Sequence, residues 1–525
     1  MLEYENPRNI IYSTHLNPKD IQKPIVTRFA PSPTGFMHIG GVRTALYAWL
    51  WARKNKGTFI LRIEDTDKER EVAGSIDHIQ KSLEWLGIDC DYGPDKPGPF
   101  GSCIQSQRLD TYREYAQKLI DKGFAYPDPY TQEQIDGFRK QSETAKKPFL
   151  FRDYRPREIE EPGYKAVWDG KQPLRFKVPQ VKRYKWHDIV RGDLEAGVEA
   201  IDDFILIKAD GYPTYNFAHI VDDFNMGVTH IIRGDEFISS TPRFLSLYEA
   251  LGMTPPQFVS LPPILRDDRT KKLGKRDGAK DILEYGKEGY LPAAMMNFLA
   301  LIGWNPGGTE EIMDSRELTD RFTLEKIQKA GGAFNEEKLL WMNKIYIGKL
   351  TDSEFTKIAR DFLPQSIPSI TPKLLPLIRE KIHVFGDIPK LFEAGKAGDS
   401  AGSSAGELSF INSLPEYQKT ALMWKKEKDL ANVAVHINTI IKLIEPLTDS
   451  DQDFTADTVK AAIWPYAESI SPENGGRGSV LWPMRFALSG QEKSPDPFVL
   501  AGVLGKTETL KRLNAACSKL ALATE

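Results

Sequence analysis

Four short stretches hold the residues best suited to chemistry. "RFAPSPTGFMHIGG", residues 28–41, sets two prolines, three glycines and His38 between an apolar run and a helical pattern. Pro31 and Pro33 stiffen such a chain, while Gly35, Gly40 and Gly41 let backbone approach a ligand. A helix start exposes unpaired N–H groups and a positive dipole end that suit phosphate, and His38 could donate to a phosphoryl oxygen there. A Pro/Gly turn with a capping histidine explains the same residues. "LRIEDTD" puts Glu64, Asp65 and Asp67 after an apolar strand. Glu64 is the candidate for an ammonium or a metal; Asp65 and Asp67 read as a helix N-cap and solvated acids. "HIIRGDEF" ends another apolar run on Arg233, suited to a bidentate grip on a carboxylate or to an ion pair with Asp235 or Glu236. Arg28 is a second carboxylate holder. "RTKKLGKRDG" gathers Lys271, Lys272, Lys275 and Arg276 around Gly274, a cationic loop able to stabilise polyphosphate charge or simply to be solvated.

These residues need strands and helices to bring them together. Residues 25–30 and 59–63 read as strands, 42–55 and 74–87 as helices, and 106–123 as a further helix ending at Gly123. Strand–helix–strand–helix order implies a parallel sheet with right-handed crossovers, whose carboxyl edge is the usual ligand site. Residues 124–200 turn aromatic, Pro-rich and basic, which reads as an inserted domain. Strands at 204–208 and 229–233 and a helix at 242–251 resume the α/β pattern. After about residue 320 the chain reads helical, interrupted by a Gly/Ser/Ala-rich stretch at 394–409 that reads as a loop. "AGVLGKT" (501–507) imitates a phosphate loop, but Leu500 stands where the first glycine belongs, so that reading fails.

The 525 residues exceed one core and imply about three to five domains. Seventy basic against 73 acidic residues give no global sign of nucleic-acid binding, although a local basic face is compatible with it. Three scattered cysteines, with no CxxC and no CxC, argue against a structural zinc site and against a disulfide framework. No apolar run reaches membrane-span length, and residues 1–20 lack the pattern of a leader; a cytoplasmic location is expected.

Taken together, the stretches resemble a bacterial-type glutamyl-tRNA synthetase, a class I aminoacyl-tRNA synthetase. His38-Ile39-Gly40-Gly41 stands in the place of the class's HIGH motif, and Lys272-Leu273-Gly274-Lys275-Arg276 in that of KMSKR. "FILRIEDTD", "DGYPTYNFAHIVDD", "THIIRGDEFISSTPRF" and "GAFNEEKLLWMNKIYI" follow in the family's order, and the likeness runs from about residue 24 to 523. It implies a Rossmann-type α/β catalytic domain in two halves (24–123, 201–260) with an inserted α+β acceptor-binding domain (124–200). A loop and stem-contact region (261–345) and an all-α anticodon-binding region (346–525) follow, and residues 1–23 form an extension.

The resemblance further implies ATP with Mg²⁺, L-glutamate and tRNA(Glu), and possible use of tRNA(Gln); a monomer and no membrane partner; and no zinc, since Asp128 and Tyr130 stand near where some relatives carry cysteines. It assigns Arg28, Ala30, Ser32, Glu64, Tyr215, His219 and Arg233 to glutamate. His38, Gly40, Gly41, Glu236, Leu265 and Lys275 go to ATP, with His38, Lys272 and Lys275 catalytic and Lys381 on the anticodon. His219 replaces an Asn of some relatives, and Gly274 the loop's usual Ser. Arg152, Arg155, Arg157, Lys182 and Arg183 are candidates to hold the acceptor end. A glutaminyl-tRNA synthetase with a β-rich anticodon module, a shorter relative without that module, a small-molecule nucleotidylyltransferase and an inactive RNA-binding paralogue fit less well.

Overall fold

The computed structural model describes residues 24–521 apart from 162, 275–279, 394–405, 413, 426, 428 and 451. The expectations for Lys275, Arg276, residues 1–23 and most of the 394–409 stretch lie outside the described residues. The chain forms two compact units. One runs up to Lys287 and includes Pro292–Met342; the other comprises Glu288–Leu291 and the chain from Asn343.

The first unit is built on a six-stranded sheet. Its strands are β1 (Val26–Phe29), β2 (Thr58–Leu61), β5 (Tyr184–Asp188), β6 (Gly192–Ala196), β8 (His230–Gly234) and β9 (Gln257–Leu261), in the order β2-β1-β8-β9-β5-β6. All neighbours are parallel except the β5–β6 hairpin. From β1 the chain crosses to β2 on one side, whereas β8 lies on the other, so the order reverses between β1 and β8. Such a switch point opens a crevice at the carboxyl ends of the strands.

The helix Ile39–Lys54 makes the first crossover. Ile39, Val42, Leu46, Trp49 and Leu50, at helical spacing, are buried along it. At its far end Gly57 turns the chain into β2 so closely against β1 that a Cβ there would lie 2.2 Å from the Ile25 carbonyl oxygen. The helix Ser75–Leu86 follows β2 and ends at Gly87, whose φ of 72° suits glycine.

The boundary read at residue 200 does not match the pairing. Strand β7 (Ile205–Ile207), expected in the catalytic sheet, pairs with β4 (Leu174–Phe176), which pairs with β3 (Ala125–Pro127), in a separate three-stranded antiparallel sheet. The β5–β6 hairpin, inside the expected insert, extends the main sheet instead, through Asp188 opposite Phe258. The reason is visible in the hairpin's period of two. Tyr184, Trp186 and Asp188 are buried while Lys185 is exposed, so this half-polar strand fits a sheet edge. The three-stranded sheet and the helix Gln132–Thr144 surround a small core of Tyr126, Ile135, Phe151 and Ile159.

The second unit is helical. Helices Leu430–Ile444, Ala456–Ser469, Gly478–Ser489 and Pro497–Ala521 pack on one another around Ile437, Ile440, Ile463, Met484 and Leu513. The false phosphate loop lies here. Gly505 breaks the last helix at φ 76°, and Lys506 donates to the Glu445 and Leu447 carbonyls at 2.8 and 2.7 Å. Its ammonium thus caps the end of a neighbouring helix.

Candidate active site

A cavity of about 780 Å³ opens at the carboxyl ends of β1, β2 and β8. Arg28 and Ala30 reach it from β1 and its exit, Glu64 from beyond β2, Arg233 and Gly234 from the end of β8, and Tyr215 from the first turn of the helix Tyr215–Asn225. Ser32, Thr34, Thr44, Lys208 and Phe237 complete much of the wall. Six of the seven residues expected at glutamate therefore share one cavity.

Beneath it lies a buried ionic network. Arg28 Nε donates to Asp223 Oδ1 at 3.1 Å and Nη2 to Oδ2 at 3.4 Å. Arg62 Nη1 donates to the same Oδ1 at 2.6 Å, and its Nη2 to Glu64 Oε1 at 2.8 Å. Asp222 beside them accepts from Arg108 Nε, the Tyr112 hydroxyl and the Gln105 amide, each at 2.8 Å. Burial pushes the Asp223 carboxyl up, but the Arg28 and Arg62 charges prevail and hold it well below the usual range. Burial raises Glu64 against the pull of Arg62. Both of Arg62's bonds to Glu64 fall on Oε1. An ammonium at the other oxygen would offset that burial.

Arg233 differs from the other guanidinium groups. It is 7% exposed and has no carboxylate partner among the described residues, because Asp235, two residues on, pairs with Arg191 at 2.7 Å. Its surroundings are the rings of Phe237, Phe244 and Phe258, at 5.0, 4.9 and 5.8 Å. Its polar contacts are long: Nη1 to the Tyr215 hydroxyl at 3.4 Å and Nη2 to Thr241 Oγ1 at 3.5 Å. Tyr215 accepts there, which leaves its own proton to donate elsewhere, and burial raises that phenol so that it stays protonated. The network thus sets four guanidinium groups against three carboxylates, and the uncompensated one faces the cavity. A buried cation of this kind favours an anionic ligand.

His219 is the exception among the seven. It lies 1% exposed beneath Tyr215, stacked on that ring at 4.5 Å and 13°, and it does not line the cavity. One helical turn from Tyr215, its Nδ1 donates to the Tyr215 carbonyl at 2.6 Å, which leaves the buried Nε2 as an acceptor without a partner. Burial, and secondarily Arg233, pull the imidazole down to about 3, so the ring is neutral. Asp65 also departs from expectation. It is buried, not solvated, and accepts from the Ser106 amide and hydroxyl and from Lys68. Asp67 is the residue preceding a short 3₁₀ turn but makes no capping bond.

Of the expected nucleotide residues, the described ones, His38, Gly40, Gly41, Glu236 and Leu265, do not line this cavity. His38 is the N-cap of the helix Ile39–Lys54, and its Nδ1 accepts the Gly40 N–H at 3.1 Å. That bond fixes the tautomer with the proton on Nε2. A Cβ at position 40 would sit 3.0 Å from the imidazole, so glycine permits the cap. The capping turn and the phosphate-facing donor read from the sequence are therefore compatible. Gly41 follows in the first turn of the helix. Leu265 and Lys272 are brought together as antiparallel bridge partners at the base of the lysine loop, with Leu273 N–H on the Ile264 carbonyl at 2.8 Å. Lys272 and Glu236 are exposed.

Elsewhere the basic residues of the insert are largely occupied. Arg155 grips Asp203, Lys182 pairs with Glu249, Arg183 with Glu195, and Arg152 donates to the Val198 carbonyl. In the second unit Lys381 pairs with Glu407 at 3.0 Å. Asp128 and Tyr130 have structural partners: Asp128 accepts from Arg175, and Tyr130 donates to the Tyr154 carbonyl at 2.6 Å. Sequence reasoning missed Arg62 and Asp223. Arg62 stands two residues before Glu64, a spacing that puts both on one face of an extended chain, and this signal was available.

A parallel sheet with a switch-point crevice, and a histidine-capped helix in its first crossover, is the architecture of a class I tRNA synthetase catalytic domain. The family model for "tRNA synthetases class I (E and Q), catalytic domain" matches residues 24–341, and that for an anticodon binding domain matches 354–517. The glutamate–tRNA ligase of Clostridium botulinum is 39% identical over 504 residues, covering 94% of this chain and 98% of that protein. That of Clostridium acetobutylicum is 38% identical over 502 residues, covering 94% and 99%. A crystal structure of a glutamate tRNA ligase from Elizabethkingia meningosepticum, in complex with its amino acid, superposes with a TM-score of 0.80 at 33% identity, over 95% of this chain and all of that one. The chain belongs to the glutamate–tRNA ligase family of class I tRNA synthetases.

Proposed function

We propose that the protein is a glutamate–tRNA ligase that activates L-glutamate with ATP and transfers it to the terminal adenosine of tRNA(Glu). The observation that carries the amino-acid specificity is Arg233, a buried cation with no carboxylate partner among the described residues, at one wall of a cavity that holds Glu64 at another. An amino acid with an anionic side chain fits this polarity. Glu64 takes the α-ammonium, Arg233 and Tyr215 take carboxylate oxygens, and Arg28, held in place by Asp223, lines the cavity beside them as a hydrogen-bond donor.

In the first step an α-carboxylate oxygen of glutamate attacks the α-phosphorus of ATP, and the bond to pyrophosphate breaks. In the second, the terminal ribose hydroxyl of tRNA attacks the acyl carbon and AMP leaves. Neither step needs a protein nucleophile; positioning and charge stabilisation suffice. His38, Gly40, Gly41 and Lys272 serve the phosphates, and Glu236 and Leu265 the nucleoside. Mg²⁺ enters with ATP as substrate. Among the described residues no three His, Cys, Asp or Glu side chains gather to hold a metal.

The test is ATP–pyrophosphate exchange with glutamate and tRNA, followed by separate charging of purified glutamate and glutamine tRNAs. Exchange with glutamine and none with glutamate would overturn the specificity. Charging of both tRNAs with glutamate would show that the Lys381–Glu407 region does not discriminate between them.

A further inference from the structure

The turn that carries His38 is gripped by two side chains that the proposed reaction leaves unassigned. His78 lies on the helix Ser75–Leu86 and Asp281 just before the helix Ile282–Lys287, and His78 Nε2 stands 2.6 Å from Asp281 Oδ2. The pair is largely sheltered, with side-chain exposures of 13% and 22%. On its other side the imidazole meets the signature turn directly. Nδ1 accepts the Met37 N–H at 3.4 Å, and the ring lies against Phe36, tilted by 30° with centroids 4.6 Å apart. Asp281 reaches the same turn through the backbone. The Ile282 N–H donates to the Met37 carbonyl at 3.1 Å, and His38 and Asp281 form an antiparallel bridge. The second carboxylate oxygen of Asp281 accepts the Leu283 N–H at 2.9 Å, which fixes the carboxylate itself.

Both polar groups of Met37, the residue before His38, are therefore held by this assembly. Because Nδ1 accepts from Met37, the proton lies on Nε2 and is donated to Asp281. This is the arrangement by which a carboxylate orients an imidazole. Residues 203 apart in sequence thus clamp one turn between two elements.

We propose that His78 and Asp281 are positioning residues for His38, holding the turn in the geometry that glutamate activation requires. The proposal rests on the ligase reading. It gives the pair no contact with substrate; its effect passes through the backbone of residues 37 and 38. Displacing a catalytic group by about 1 Å can cost a hundredfold in rate.

The test is glutamate- and tRNA-dependent ATP–pyrophosphate exchange by the full-length chain and its variants. His78→Leu removes the imidazole's contacts with Met37, Asp281 and Ser82, and Asp281→Asn weakens the pair without loss of volume. Each is expected to lower kcat about ten- to a hundredfold, to leave the KM for glutamate within about twofold, and to combine non-additively, the double variant being no slower than the worse single one. His78→Gln, which keeps a donor near the Nε2 position, is expected to restore much of the rate. Unchanged kcat in the folded variants, a loss falling mainly on the glutamate KM, or multiplying losses in the double variant would overturn the proposal. If His78→Leu fails to fold, Asp281→Asn decides alone by the same kcat criterion. A wild-type chain without exchange would overturn the ligase reading and this proposal with it. A wild-type chain that exchanges beside unimpaired variants overturns this proposal alone.

Discussion

Arg233→Leu separates binding from folding. The guanidinium is 7% exposed, lacks a carboxylate partner among the described residues and sits among three phenylalanine rings at 4.9, 5.0 and 5.8 Å. Truncating one partner of a buried charge pair costs about 2–5 kcal/mol in binding. At about 1.4 kcal/mol per decade, kcat/KM for glutamate should fall roughly 30-fold to several-thousand-fold. Folding should respond differently. The substitution removes a desolvated charge that no described carboxylate of the free protein neutralises, and it places an apolar side chain against apolar rings. Against this stand the lost cation–π contacts, about 0.5–2 kcal/mol each. The terms largely cancel, so stability should change by no more than about 1 kcal/mol. Steady-state exchange at several glutamate concentrations, beside urea unfolding of the same preparations, measures both. A variant that loses more than about 3 kcal/mol of stability while using glutamate as before would show that Arg233 is a structural cation.

Two further outcomes follow from buried groups outside the cavity wall. His219 has its folded pKa pulled down to about 3, so the unfolded chain binds the extra proton. Its stabilising effect is complete above the unfolded value near 6.5 and is lost as pH falls toward 3, about 2 kcal/mol of it by pH 5. His219→Phe, which keeps a ring against Tyr215, should lack that slope; urea midpoints at pH 5 and 7.5 that shift equally in both proteins would contradict it. Asp128→Ala should destabilise the inserted region by about 3–5 kcal/mol, since Arg175 would be left buried over the Phe151 ring without its carboxylate. A zinc chelator should leave the thermal midpoint of the wild type unmoved, and a drop on chelation would mean that a metal holds this region.

The strands and helices around the site were legible because each carries its own local signal. The apolar run 229–233 became β8, and the helix read from residue 42 begins three residues earlier because His38 caps it. The strand at 184–188 was not singled out within the insert, and its burial alternation by itself does not say which sheet the strand joins. That depends on which edge is open, and here the edge was β9. Composition suggested a cationic insert, but carboxylates distant in sequence, such as Asp203 for Arg155 and Glu249 for Lys182, neutralise much of it.

The same division holds for the site. Residue types and spacing marked which groups could bind a carboxylate or an ammonium, and the strand–helix order put them at one edge of a parallel sheet. Sequence alone left Arg28 and Arg233 equivalent, each an arginine near the end of a buried strand. The tertiary structure separated them. Asp223, 195 residues from Arg28, neutralises that arginine from below, while Asp235, the nearest carboxylate to Arg233 in sequence, is drawn away by Arg191. A charge is satisfied by whatever the fold places within about 3 Å of it, and proximity along the chain carries little of that information.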